Sequence, residues 1–208
     1  GVDRAQVQQG AGPSGMSVAI VDESGGYGAV IVSAANLAIA ADAVQVPAGT
    51  THVLLQNEVP GAVNLAVART ARAAGARVVL NAAPARAMDP DLLACTDLLI
   101  VNRVEAGDLT GAAPVDAARA LADRGPGAVI VTLGGDGLVL WDGALAVLPA
   151  HGVDAISTHG AGDSFVGALA AEWARGADLR AAAAFGQAAA ALLVAAGPAG
   201  RAAVTVGA

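Results

Sequence analysis

The strongest chemical pattern in the sequence is the run Ser-Thr-His-Gly-Ala-Gly-Asp-Ser-Phe, from Ser157 to Phe165. Its small residues lead directly into a helix-forming stretch, so backbone N–H groups are left uncovered at a helix N-terminus and can bind an anion. Asp163 lies in the first turn of that helix, where a carboxylate would repel a bound anion. One task for it there is to take a proton from a hydroxyl that attacks a bound phosphoryl group. Equally open, on these residues alone, is that Asp163 is only a favourable charge at a helix start.

A second polar group follows an apolar strand in the run Asn-Arg-Val-Glu-Ala, which places Asn102 and Glu105 three residues apart. The carboxyl end of a strand is where α/β folds place ligands, so both side chains are candidates for binding. The alternative is that Asn102 caps a helix and Glu105 is an acid in its first turn. The local residues alone favour this alternative.

Further polar runs also come directly after predicted strands. In Thr132-Leu-Gly134-Gly-Asp-Gly137 the glycines would let a nucleotide approach the backbone, although an ordinary tight turn accounts for them equally well. Glu58 follows one strand and Asn81 ends another. Their alternatives are an acid at a helix N-terminus for Glu58 and a turn-forming residue for Asn81.

The elements that must position these residues are predicted from apolar runs and turn residues. Strands are expected at Met16–Val21, Ala29–Val32, His52–Gln56, Arg77–Asn81, Asp97–Val101, Ala128–Thr132, Leu138–Trp141 and Leu145–Leu148. Helices are expected at Ala62–Ala74, Val115–Arg124, Ala161–Arg175 and Leu179–Ala196. Strands that alternate with helices predict a mostly parallel sheet with helices on both faces. No linker or repeat divides the chain, so residues 1–208 are expected to form a single α/β domain.

Composition narrows the function classes. The chain has 208 residues, of which 55% are hydrophobic and 14% charged, which excludes disorder. All 11 basic residues are Arg and the net charge is −7; because no Arg cluster forms a basic face, a nucleic-acid partner is not expected. The single Cys95 excludes an internal disulfide. Neither a long uninterrupted apolar stretch nor a basic leader is evident, so we expect no membrane partner and a cytoplasmic location.

The run from Ser157 to Phe165 resembles the second signature of the ribokinase-like carbohydrate kinases, the PfkB family, which reads Asp-Thr-x-Gly/Ala-Ala-Gly-Asp-Ser/Thr-Phe. The resemblance implies that Asp163 is the catalytic base and touches the substrate hydroxyl. It also implies that the amides of Gly160, Ala161 and Gly162 form an anion hole for the transferring phosphate. Ser157 stands where the family has an Asp that helps to hold a monovalent cation such as K⁺, so that cation loses a charged ligand here.

The other polar runs follow the family order. Asn102 and Glu105 resemble its Asn-x-x-Glu-Ala motif, which implies that both organise Mg²⁺ and that Asn102 also contacts the nucleotide. The glycine-rich run resembles Thr-Leu-Gly-x-x-Gly, which implies that Thr132, Gly134 and Gly137 line the ATP site.

Three further positions are assigned by resemblance. Gln187 falls where the family has a residue near the adenine, although a solvated position on an Ala-rich helix is the alternative. The segment around Glu58 resembles Leu-Gln-x-Glu-x-Pro, which implies a hydrogen bond from a sugar hydroxyl to Glu58. Asn81 would then lie near the phosphates or support the site. Residues 15–36 resemble the family's lid hairpin.

The resemblance implies a three-layer α/β/α sandwich with a small β lid. It also implies that the family's N-terminal strand and Gly-Gly motif are missing here. We expect an ATP-dependent phosphotransferase that acts on a hydroxymethyl group of a ribose-like sugar, with sugar and ATP as partners. The alternative is a truncated, non-catalytic remnant that binds nucleotide or sugar. Fructose, ketodeoxygluconate and nucleosides stay open as substrates, and a homodimer stays open as the assembly.

Overall fold

Eight strands are present in the part of the chain that the computed structural model describes, which is residues 2–21, 27–200 and 204. Two of them, β1 (Met16–Val21) and β2 (Tyr27–Val32), form a separate antiparallel hairpin. The turn that the sequence predicts at residues 22–26 lies outside the described residues. The other six strands are β3 (His52–Gln56), β4 (Arg77–Asn81), β5 (Leu98–Asn102), β6 (Ala128–Thr132), β7 (Leu138–Trp141) and β8 (Leu145–Leu148).

Strands β3 to β8 form one sheet in chain order, and the pairs from β3 to β6 are parallel. The last two pairs are antiparallel, because one short hairpin places β7 beside β6 and the next places β8 beside β7. The predicted mostly parallel sheet is therefore confirmed. In such a sheet the carboxyl ends of β3 to β6 all meet at one edge.

Six α-helices accompany the strands within the described residues. They are α1 (Gly61–Ala73), α2 (Pro90–Ala94), α3 (Arg103–Thr110), α4 (Pro114–Ala122), α5 (Ala161–Ala174) and α6 (Leu179–Gly200). The four predicted helices are present within a few residues, and Gly75, at a φ of +79°, follows α1 as its predicted stop. Helices α2 and α3 were not predicted, because five and eight residues are too few to show a helical period.

The buried strands send alternate side chains into two different cores, which makes the fold three-layered. Val78 and Leu80 of β4 pack with α1 to α4, whereas Val79 packs with α5 and α6. In β5, Leu99 packs with α1 to α4 and Leu98 packs with α5 and α6. Period-2 alternation between two covered faces explains why these strands are apolar throughout. The predicted α/β/α sandwich is confirmed.

The edge strand β3 packs against α5 through aromatic contacts. The His52 ring lies 5.1 Å from the Trp173 ring, and the Arg77 guanidinium lies 4.4 Å above that same indole. Burial and the Arg77 charge lower the pKa of His52, and Asp97 opposes this shift. His52 Nε2 is buried without a hydrogen-bond partner, so a proton there would be poorly accommodated.

The C-terminal helix α6 contains a long stretch of high mean hydropathy. Its stretch Leu179–Ala196 is long and apolar enough to span a membrane by length and composition, with 17% of the stretch buried. Arg180, Gly186 and Gln187 interrupt this stretch, so it is not the long uninterrupted apolar run that the sequence analysis looked for. The helix packs along α5, and its Ala182 and Ala183 are fully buried in the core.

Candidate active site

Polar side chains collect at the edge where the parallel strands end. Gln56, Asn81, Asn102 and Thr132 are the last residues of β3, β4, β5 and β6. Asn102 and Thr132 are direct neighbours in the parallel register. The strand-end positions that the sequence analysis singled out therefore lie side by side, as the topology requires.

A cavity of about 800 Å³ opens at this edge, between the strand ends and the N-terminus of α5. It brings together most of the residues that the sequence analysis predicted, from three strand ends and two helix starts. Those residues are Asn81, Asn102, Glu105, Thr132, Gly160, Gly162 and Asp163.

The N-terminus of α5 is shaped by glycine. Gly160 is the N-cap residue and has a left-handed backbone, with φ +78°. The Ala161 N–H donates to the Thr158 carbonyl at 3.2 Å, so this amide of the predicted anion hole already has an acceptor. A Cβ added to Gly162 would meet no atom within 4 Å. The fold does not require glycine at that position, and its bare backbone faces the cavity.

Asn102 and Glu105 form a capping box at the start of α3. Asn102 Oδ1 accepts the Glu105 N–H at 2.9 Å, and Glu105 Oε2 accepts the Asn102 N–H at 2.7 Å. The helix-capping alternative is thus realised, and both side chains also line the cavity. Burial raises the pKa of Glu105; the hydrogen bond from Asn102 opposes this shift, and Asp108 adds to it.

This pair also fits a divalent cation. Each side-chain oxygen that accepts a capping hydrogen bond keeps a second lone pair, and a poorly solvated carboxylate is stabilised by a nearby positive charge. No group of three or more His, Cys, Asp or Glu side chains that could hold a metal is found within residues 2–21, 27–200 and 204. The pair therefore suits Mg²⁺, which keeps several waters and binds few protein ligands.

A monovalent cation does not fit equally well. Ser157 lines the cavity, and its N–H donates to the Val194 carbonyl at 3.3 Å. Its side chain supplies a neutral oxygen in place of a carboxylate, so it adds no negative charge for K⁺.

A second cavity, of about 340 Å³, adjoins the first and shares Thr132 and Gly162 with it. The predicted nucleotide residues that line it are Thr132, Gly134, Gly137 and Gln187, together with Ala161. Gln187 is half-buried and its Nε2 donates to the Pro149 carbonyl at 3.4 Å, so it is not simply a solvated position.

The glycines of this second cavity have different tasks. A Cβ on Gly137, whose φ is +97°, would lie 2.1 Å from the Leu148 carbonyl oxygen, so the turn itself requires glycine there. Added Cβ atoms at Gly134 and Gly135 would meet nothing within 4 Å. The tight-turn interpretation therefore holds for Gly137 and also for Gly134, whose φ of +62° favours glycine, although Gly134 and Gly135 both leave open space beside the cavity.

Glu58 is the predicted site residue that the structure does not bring to either cavity. It lies in the turn between β3 and α1, where its N–H contacts the Gln56 side chain. The neighbouring Asn57 is buried and donates to the Pro84 carbonyl at 3.1 Å.

Two charged residues beside the site were not predicted. The Arg103 guanidinium, on the first residue of α3, forms an ion pair with Asp136 in the glycine-rich run. Both residues occur inside motifs that were recognised, at variable positions that carry no signal of their own.

Comparisons with known proteins agree with this geometry. A sequence model described as "pfkB family carbohydrate kinase" matches residues 1–204. Mouse ribokinase is 36% identical over 171 residues, which cover 76% of this chain and 53% of the mouse protein. This chain therefore spans about half the length of that relative.

Solved structures are similar as well. Ribokinase from Thermotoga maritima superimposes with a TM-score of 0.82 at 28% identity, covering 93% of this chain and 67% of that one. Arabidopsis thaliana ribokinase, solved with ribose and ATP, has a TM-score of 0.79 at 27% identity, covering 88% of this chain and 64% of that one.

Proposed function

The chain belongs to the pfkB family of carbohydrate kinases, and from that premise we propose that it transfers the γ-phosphoryl group of ATP to a hydroxymethyl group of a ribose-like sugar. One observation carries the proposal: Asp163, the N-terminus of α5 and the polar strand ends line a single cavity that adjoins a second one. A cavity for the transfer and a neighbouring cavity for the nucleotide are what the reaction needs.

Asp163 is the general base in this proposal. It takes the proton from the sugar hydroxyl, whose oxygen then forms a bond to the γ-phosphorus while the bond to the β,γ-bridging oxygen breaks and ADP leaves. Asp163 is exposed to the cavity from the first turn of α5. A carboxylate at this position can reach both an incoming hydroxyl and the space where phosphate would bind.

The N-terminus of α5 stabilises the charge that develops on the transferring group. Backbone amides at Gly160 and Gly162 line the cavity, and the helix dipole adds a partial positive charge there. We assign Ala161 a smaller part, because its amide already donates to Thr158. This refines the three-amide anion hole implied by the resemblance.

The second cavity holds the nucleoside part of ATP. Its walls combine the glycine-rich run with apolar side chains from β7 and α5, including Leu138 and Phe165. Such a mixture suits a flat base and a ribose, with the phosphates directed toward the shared residue Gly162. Gln187, held by its bond to Pro149, borders the base.

Asn102 and Glu105 would hold Mg²⁺. When bound, the ion neutralises negative charge on the phosphate oxygens. The capping box orients both side chains toward the cavity before any ligand arrives, and the burial of Glu105 favours a cationic neighbour. No step is assigned to a monovalent cation, since Ser157 brings no charge.

The sugar is proposed from the relatives rather than from the cavity. The names of the similar proteins make ribose and deoxyribose the first candidates. Glu58 stays a proposed sugar ligand; it would need to act from outside the two cavities.

An ADP-coupled assay with Mg-ATP and a panel of ribose, deoxyribose, fructose and ribonucleosides tests the proposal. We expect ADP formation that depends on one sugar of the panel. Calorimetry with Mg-ADP runs in parallel on the same 208-residue chain. Tight nucleotide binding without turnover on any sugar would contradict the phosphotransferase and favour a non-catalytic binding protein.

A further inference from the structure

Arg103 connects α3 to the glycine-rich loop that follows β6. Its Nη2 donates to the Leu133 carbonyl at 3.3 Å and also contacts Asp136 Oδ2 in an ion pair. Leu133 and Asp136 belong to the same loop, at residues 133–137. One guanidinium therefore holds the loop at its first carbonyl and at its acidic side chain.

Parallel pairing explains how residues so far apart in sequence meet. Asn102 and Thr132 are partners in the β5–β6 register, so the residues that follow them leave the sheet side by side. Arg103 comes directly after Asn102, and Leu133 directly after Thr132. The connection joins the two strand ends that border both cavities.

The two ends of the loop are packed, since Leu133 contacts the core and Gly137 lies against the Leu148 carbonyl, whereas residues 134–136 between them are exposed. Its backbone closes on itself through Leu133 N–H to Gly137 O at 2.8 Å and Gly137 N–H to Gly134 O at 3.1 Å. Gly134 and Gly135 are exposed, and glycine loses more conformational freedom on ordering than other residues. The contact with Arg103 of α3 reduces the conformational freedom that the loop would otherwise lose when a ligand binds.

The charge of Asp136 gives the contact a second effect. An unpaired carboxylate on this loop would repel the phosphates of a nucleotide bound beside Gly134 and Gly137. The Arg103 guanidinium neutralises it. Neither Arg103 nor Asp136 lines a cavity, so both act through the loop rather than by touching the ligand.

We propose that Arg103 is a positioning residue for nucleotide binding, which orders the loop 133–137 and neutralises Asp136. The inference rests on the proposed function, because it assigns the loop to the nucleotide. An ion pair between two exposed side chains adds little to folding stability. We therefore expect its effect in nucleotide affinity and loop protection rather than in the melting temperature.

The test uses Arg103→Gln with Arg69→Gln as a matched control. Arg69 forms a comparable ion pair with Asp91 at 2.5 Å, and its side chain is 57% exposed against 52% for Arg103. Calorimetry measures the Kd for Mg-ADP, and hydrogen exchange without nucleotide measures the amide protection of residues 133–137. Arg103→Gln should raise Kd about tenfold and lower the protection of the loop, because the loop loses its contact to α3 and the Asp136 carboxylate is left unpaired near the phosphates. Arg69→Gln should match the wild type in both measurements.

Two more variants separate the ordering of the loop from the neutralisation of Asp136. Asp136→Asn should change Kd less than about threefold, because it removes the repelling carboxylate together with the ion pair. Arg103→Lys should recover part of the affinity, since an ammonium neutralises Asp136 but lacks the planar fork that reaches Leu133 as well.

The outcomes distinguish this inference from the proposed function. If the wild type binds Mg-ADP and Arg103→Gln stays within twofold of it, the inference is wrong and the proposed function stands. If Kd rises while loop protection is unchanged, Arg103 does not order the loop and that part of the inference is wrong. If the wild type binds no nucleotide, the proposed function fails and the inference fails with it.

Discussion

The sheet and the amino-terminal part of the chain differ sharply in how they are held. Strands β4, β5 and β6 are buried almost along their whole length. Among the described side chains of residues 2–50, none is buried. The polar residues proposed for catalysis stand on the rigid sheet and on α5, whereas the hairpin formed by β1 and β2 stands apart from both cores.

The hairpin shows what this difference means. Met16 pairs with Val32 and Val18 with Val30, so these four side chains share one face. Met16 is 58% exposed and Val30 is 53% exposed. The nucleotide side of the site is thus supported by packing on two faces, whereas the described side chains of the hairpin belong to neither core and its strands are joined by their own ladder. We expect variants to separate the two regions.

The largest stability effect is expected in the sheet. Leu99→Ala removes a fully buried side chain of β5 that packs with α1 to α4, and it should cost about 3 kcal/mol through lost burial and the cavity left behind. Urea unfolding measures this cost. A loss below about 1 kcal/mol would mean that the sheet is not the rigid support described above.

A smaller effect separates the two kinds of glycine on α5. Gly162→Ala and Gly167→Ala both place a methyl group where no atom lies within 4 Å, but only Gly162 lines the cavities. Both variants should stabilise the helix slightly. Gly162→Ala should weaken Mg-ADP binding about tenfold because the methyl group enters ligand space, and Gly167→Ala should not. If Gly162→Ala and Gly167→Ala bind Mg-ADP with equal affinity, the N-terminus of α5 is not part of the nucleotide site.

The free energy of unfolding should depend on pH through His52, the first residue of the edge strand β3. The pKa of His52 is lowered in the folded chain, so the unfolded chain binds more protons below the ordinary value of 6.5. The contribution of His52 to the free energy of unfolding should therefore be complete above that pH and should be lost as the pH drops through and below it. Urea unfolding between pH 7.5 and 5 measures the slope, and His52→Gln should make it shallower. A slope unchanged by the substitution would exclude His52 as its cause.

The smallest effect is expected in the hairpin. Val18→Thr keeps the β-branched shape at a side chain that is already 48% exposed, so unfolding free energy should change by less than about 0.5 kcal/mol. A loss comparable to that of Leu99→Ala would show that this face is covered in solution and that the contrast between the regions is wrong.

Much of the fold could be predicted because its strands are strongly patterned. The limits of β3, β4 and β6 to β8 match the expectation, and β5 is shifted by one residue. The convergence of Asn81, Asn102 and Asp163 followed from their positions at strand ends and at a helix start. Such positions are fixed by topology, which apolar periodicity reports well.

Other features depend on contacts that periodicity does not report. The ion pair between Arg103 and Asp136 joins exposed side chains 33 residues apart, and neither belongs to an apolar pattern. Glu58 lies in a turn, where local hydrogen bonds such as the one from its N–H to the Gln56 side chain set the backbone direction. The Asn102–Glu105 spacing alone favoured a helix cap over a ligand pair, and the structure contains the cap within the cavity wall.

The central claim is that Asp163 is the base of a phosphoryl transfer at the carboxyl edge of the sheet. The most direct measurement is kcat for the sugar that the assay identifies, together with the Kd for Mg-ADP, in the wild type and in Asp163→Asn. Because the amide cannot take the proton, kcat should fall about 10³-fold or more while Kd stays within a few-fold. A variant that keeps the wild-type kcat would contradict the account.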